Sequence, residues 1–152
     1  MAERFSNIVS SEELVARIIF SPSYIYQGRV APTAFRWEIL PSGNVEDYIS
    51  VLRGCSDKTE EETRSFRPRI DGDTRFGYAL LNVGEIRNIR SFTESNTVVA
   101  DVLAYPSKKF PSHAGVVADI DGKRVTALTP ITPELMMLQK KLAQLCSEIV
   151  KF

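Results

Sequence analysis

The only histidine of the chain is His113, in the stretch FPSHAGVV. An imidazole that titrates near neutral pH can serve as acid, base or metal ligand. To do so it needs a nucleophile to activate, a carboxylate to orient it, or further ligands. Ser112 is its immediate neighbour, which is a poor geometry for a productive pair, and Asp119 lies on what reads as the following strand. The local pattern favours a histidine that enters a strand over a catalytic one. Any chemical partner has to come from elsewhere in the chain.

Arginine is the second chemical resource. Twelve arginines stand against seven lysines. Arg53, Arg64, Arg67, Arg69 and Arg75 fall within one central segment. Guanidinium forks hold carboxylate or phosphate in a bidentate manner, so two of these, with Arg29, could form a small anion site. The same segment carries Asp57, Glu60, Glu61, Glu62, Asp71 and Asp73. The simpler expectation is a solvated helix and loop with internal ion pairs.

Other patterns are incomplete. Asp71-Gly72-Asp73 resembles part of a calcium loop, but Asn82 stands where the bidentate glutamate belongs, so a plain turn is expected. Gly54-Cys55-Ser56 has neither the second glycine nor the serine position of a nucleophile elbow. The glycines are scattered and form no phosphate-binding loop. Cys55 and Cys146 with one histidine make a poor zinc set, so no metal and no cofactor is expected.

Local signals predict the elements that must position these residues. Ser10 and Glu13 have capping-box spacing and predict a short helix over 11–18, although ARIIF could equally be a strand. Pro22 predicts a further helical turn ending near Gly28. Residues 28–44 are punctuated by Pro32, Pro41 and Gly43 and read as extended chain and loop; Trp37 within them and Tyr48 beyond them are expected in the core or at its rim. DYISVLRG, FGYALLNV and NTVVADVLAY are strand-like runs. Thr59 followed by three glutamates starts a helix that stops before Pro68. GVVADIDGKRVTAL predicts a hairpin turning at Asp121-Gly122.

A last helix is predicted over Pro133 to Val150, capped by Thr132. Leu135, Leu138, Leu142, Leu145, Ile149 and Phe152 recur at alternating steps of three and four, a heptad seam. Met136, Cys146 and Val150 broaden it into a stripe wide enough to pack on a sheet. The strands outnumber the helices and do not alternate with them. The expected class is α+β, a single domain over 1–152 with a mainly antiparallel sheet and the C-terminal helix packed across it.

Composition narrows the function classes. Hydrophobic content of 43% and charged content of 25% are ordinary for a globular protein. Nineteen basic residues match nineteen acidic ones, which makes nucleic-acid binding the weakest reading. No signal peptide and no run long enough for a membrane span is visible, so a cytoplasmic setting with reduced thiols is expected.

The succession SPSYIYQGRVAPTAF, ISVLRG and FPSHAGVV resembles a group of small bacterial proteins. The shared positions are Pro22, Gly28, Arg29, Val30, Ala34, Phe35, Ser50, Val51, Pro111, His113 and Ala114, within residues 17–117. The group brings no established activity. The resemblance implies a pocket in which Arg29, Ser50 and His113 converge, with Thr33 before the Ala-Phe pair and Arg53 nearby. Such a set is loosely similar to ADP-ribosyltransferase-like folds, an analogy of fold alone.

Two functions are expected on these grounds. The first is a non-catalytic accessory or protein-interaction domain, with a partner or self-association surface on the terminal helix at Leu135, Leu138, Leu142, Leu145 and Ile149. The alternative is a small enzyme or binder of a nucleotide or phosphate ligand. In it Arg29, with Arg53 and Thr33, holds the anion, Ser50 orients it and His113 acts as acid or base.

Overall fold

Strand-like runs of aliphatic and aromatic residues form the body of the fold. A computed structural model describes residues 5–54, 59–66, 74–90 and 94–152. In chain order the elements begin with β1 (Leu14–Ser21), β2 (Ile25–Tyr26), β3 (Arg29–Val30), a 3₁₀ turn over Pro32–Ala34, and β4 (Ile49–Arg53). Next come α1 (Thr59–Ser65), β5 (Thr74–Asn82), α2 (Val83–Arg87), β6 (Val98–Ala104), β7 (His113–Ile120) and β8 (Lys123–Arg124). The chain ends with α3 (Pro133–Leu145) and β9 (Val150–Lys151).

Among the described residues seven strands make one sheet in the order β6-β7-β4-β1-β5-β9, with β8 paired to β7, and every ladder is antiparallel. The protein is therefore α+β, and α3 packs against the sheet. Register fixes the two faces. Val51 is opposite Ala114 and Ile49 is opposite Val116, so these side chains share one face. They join Val15, Ile19, Ala79 and Leu81 in a core that Leu135, Leu138 and Leu142 of α3 complete. Ser50 is opposite Gly115 and Leu52 is opposite His113, which puts this set on the other face. Among the described residues no helix is long and apolar enough to cross a membrane.

The structure overturns three local expectations. Residues 14–18 are strand, not helix. The Ser10–Glu13 box does form: Ser10 N donates to Glu13 Oε2 at 2.6 Å and Glu12 N to Ser10 Oγ at 3.2 Å. It closes a turn, sealed by Glu13 N donating to Ser10 O, and β1 comes next with six consecutive residues buried. Burial on both faces of a central strand outweighs the capping signal. The turn after Pro22 becomes the β2–β3 hairpin, with Gln27 at φ 50° and Gly28 at φ 78° supplying the left-handed corner.

The terminal helix stops at Leu145, and Cys146 turns to extended backbone. The sheet edge captures the last residues of the chain: Ser147 N donates to Leu80 O at 2.8 Å and Phe152 N to Phe76 O at 3.0 Å. Ile149 and Phe152 are therefore not members of a helical seam. The structure adds α2, for which no local signal was assigned. Asn82 caps it by accepting from Glu85 N at 3.0 Å. The other expected strands, the Asp121-Gly122 hairpin and the Thr132 cap are all present. The Asp71–Asp73 turn, Cys55-Ser56, Arg67 and Arg69 lie outside the described residues.

Candidate functional site

β4 and β7 are neighbours, and their register sets Ser50 and His113 diagonally on one face of the sheet. His113 Nε2 lies 3.1 Å from Ser50 Oγ, and Nδ1 lies 2.8 Å from the backbone oxygen of Tyr105. A carbonyl only accepts, so Nδ1 carries a proton. In the neutral ring Nε2 is then the acceptor, and the Ser50 hydroxyl donates to it. The histidine thus joins β7, β4 and the end of β6.

Aromatic residues wall this pair. The rings of Phe66, Tyr48 and Tyr105 lie 5.2, 5.8 and 6.5 Å from the imidazole. Gly115 makes room for two of them: a Cβ there would stand 2.7 Å from Tyr48 Cβ and 2.8 Å from the Tyr105 ring. Burial, and then the negative charge of Asp47, push the Tyr105 phenol up, against the pull of Arg124. Ser112 Oγ donates to Glu62 Oε2 at 2.5 Å and ties α1 to the start of β7.

The order hydroxyl, imidazole, acceptor matches the logic of an activated serine. Two features depart from it. The third member is a neutral carbonyl, which stabilises an imidazolium less than a carboxylate does. Ser50 is only 5% exposed and His113 only 9%. A nucleophile must reach its substrate, and this hydroxyl faces a buried ring.

The remaining expected residues lie apart from that pair. Arg53 is buried in a structural ion pair, with Nε 2.9 Å from Glu13 Oε1 and Nη2 2.9 Å from Glu13 Oε2. It also donates to the carbonyls of Ser6 and Ile8, and so pins the N-terminal segment. Partial burial by itself raises the Glu13 carboxyl; the Arg53 and Ser10 hydrogen bonds and the charges of Arg53 and Arg87 outweigh it, and the net shift is downward. Arg29 is exposed in the β2–β3 hairpin, in a cleft shared with Phe76 of β5. Three inter-strand steps separate β7 from β5, roughly 14 Å. Thr33 donates to Ser23 O and lines a neighbouring cleft. The structure brings Ser50 and His113 together and sets Arg29, Thr33 and Arg53 elsewhere.

The seam of the terminal helix divides in the same way. Leu135, Leu138 and Leu142 are buried in the core, Leu145 is half-buried, and Ile149 has left the helix. The accessible apolar surface is on the adjoining face. One cleft of about 870 Å³ lies between the first half of α3, the 32–37 segment and the 126–131 loop, and Trp37, Ile131, Met136 and Met137 line it. A second, of about 920 Å³, continues along the second half of α3 beside the β2–β3 hairpin and β9. Both are bounded by Pro32 and Lys140.

Side chains fix the 32–37 wall. Arg17 Nε donates to Ala34 O and its Nη1 to Ser50 O, both at 2.9 Å. Gln139 Nε2 donates to Phe35 O at 2.9 Å and ties α3 to the same wall. Among the described residues the buried Trp37 indole N–H has no acceptor. Cys146 also borders the second cleft, where burial pushes its thiol up to about 12 despite the charge of Arg17. Sequence reasoning missed this groove because its walls come from three distant segments. Its one local signal was the Met136-Met137 pair beside the leucine seam.

No family model, curated protein or solved structure matches this chain.

Proposed function

We propose that this chain is a protein-interaction domain that docks an elongated segment of a partner protein in the groove along α3. The shape of the groove supports this reading. Its two halves meet at Pro32 and Lys140 and run along one helical face through Met136, Lys140, Ala143 and Gln144. At 1.5 Å per residue that run spans roughly 12 Å, and the hairpin and the 126–131 loop lengthen it at either end. A trough of this form suits an amphipathic helix with apolar residues at helical spacing. Ile131 is 78% exposed, Tyr26 67% and Met136 58%, so apolar surface is available at both ends. Methionine side chains adapt to the shape of a partner.

Selection from a display library of helical peptides tests the reading, with counter-selection on the double variant Met136→Arg/Met137→Arg. The expected result is a set of peptides whose affinity falls about tenfold or more on the variant, a loss of the size that truncating an interface anchor produces. A library without binders, or binders indifferent to the variant, overturns it. Sedimentation at rising concentration addresses a second copy of the chain. A dimer abolished by the same variant would put that copy in the groove instead.

The Ser50–His113 bond favours one other reading, a small serine-dependent hydrolase. It requires turnover of an activated ester that Ser50→Ala removes. Turnover unaffected by that change, or none at all, decides against it.

A further inference from the structure

We infer that the partner segment carries acidic residues beside its apolar face. This rests on the docking reading above and names the chemistry of the occupant. The chain as a whole balances nineteen basic against nineteen acidic residues. The groove does not: among the described residues, Arg29, Arg36, Lys140 and Lys151 line it against Glu148.

Lys151 stands over the Phe76 ring, 5.4 Å from its centroid, and the other three cations are uncommitted. Arg29, Arg36 and Lys140 are exposed and make no hydrogen bond or ion pair among the described residues. Elsewhere in the molecule guanidinium groups are engaged, as in Arg53 with Glu13, Arg87 with Asp101 and Arg124 with Asp119. Free cations spaced along an apolar trough attract a segment with carboxylates at its flanks and repel a basic one.

Phosphate-rich ligands fit the groove less well. Ile131, Leu135, Met136 and Met137 line the first cleft beside Trp37, and Ile25, Val30 and Ile149 line the second beside Tyr26 and Phe76, so aliphatic side chains outnumber the aromatic ones on which bases would stack. An amphipathic acidic peptide uses both the apolar floor and the cationic rim.

Trp37 is the only tryptophan of the chain and so reports on its own wall. The experiment titrates the full chain with two peptides that share one apolar helical face, one flanked by glutamates and one by lysines, and monitors Trp37 fluorescence. The acidic peptide is expected to bind about tenfold more tightly at low salt, with the gap narrowing as salt screens the charges. The double variant Arg36→Glu/Lys140→Glu, at exposed positions, should reverse the order. Equal affinity for both peptides, or an order unchanged by the variant, overturns the acidic partner and leaves the docking reading intact. No response to either peptide overturns both. Tighter binding of a single-stranded oligonucleotide than of the acidic peptide overturns the assignment in favour of nucleic acid.

Discussion

Replacing Ser50 with alanine isolates what the Ser50–His113 bond does. The change removes one oxygen and leaves little space behind, so cavity effects are small. It takes the Ser50 hydroxyl away from Nε2 of a histidine that is 9% exposed and walled by Phe66, Tyr48 and Tyr105. Removing one partner of a buried hydrogen bond costs about 1–3 kcal/mol. Taking about 2 kcal/mol, the melting temperature of a chain this size falls by roughly 4–8 °C. His113→Phe strands the Ser50 hydroxyl and frees the Tyr105 carbonyl, so it destabilises on its own account. Combined with Ser50→Ala it should cost less than the sum of the two, with a coupling of about 1 kcal/mol. Urea unfolding of the wild type, both single variants and the double variant at pH 7 measures all four corners. A Ser50→Ala stability within about 0.5 kcal/mol of wild type, as for an ordinary surface change, would refute the view that this bond holds β4 to β7.

Glu13 links stability to pH. Its folded pKa is depressed, so its contribution is complete above the unfolded value of 4.5 and is lost as pH falls through the folded value. Glu13→Gln should destabilise by about 3 kcal/mol or more at pH 7, because Arg53, whose side chain is 3% exposed, loses its counter-charge. The gap from wild type should narrow as the pH is lowered through the folded value, and urea unfolding across that range checks it. Gly77→Ala should expel β9, since a Cβ there would stand 2.1 Å from the Val150 carbonyl oxygen. Faster amide exchange of Val150 and Phe152, with α3 still protected, is the expected readout. Cys146 should be almost inert: with its thiol near 12, the thiolate fraction at pH 8 is roughly a thousandfold below that of a free cysteine. Reaction with an aromatic disulfide reagent in a Cys55→Ser background measures it.

The sequence by itself determined the elements whose signals are local. The Asp121-Gly122 hairpin was legible because a tight turn needs left-handed backbone at two adjacent residues, and both adopt it, with φ 53° and 79°. The start of α3 was legible because Thr132 and Pro133 satisfy a helix N-terminus without outside help. The antiparallel α+β class came from the order and number of strand-like runs. Only tertiary structure decided the rest. Residues 14–18 became strand because the centre of a sheet buries both of their faces, an environment no capping residue reports. Ser50 and His113 meet because β4 and β7 are adjacent in a particular register, while Arg29 and Arg53 went to other surroundings. The groove is the clearest case. Its floor is a helix, its walls are the 25–37 segment, the 126–131 loop and the C-terminal residues, and its charge is the sum of residues from α3, the 25–37 segment and the C-terminal residues. Hydrophobic periodicity showed which side of α3 the sheet would take. The surroundings of that buried stripe depended on which segments packed next to it, and that is a property of the assembled fold.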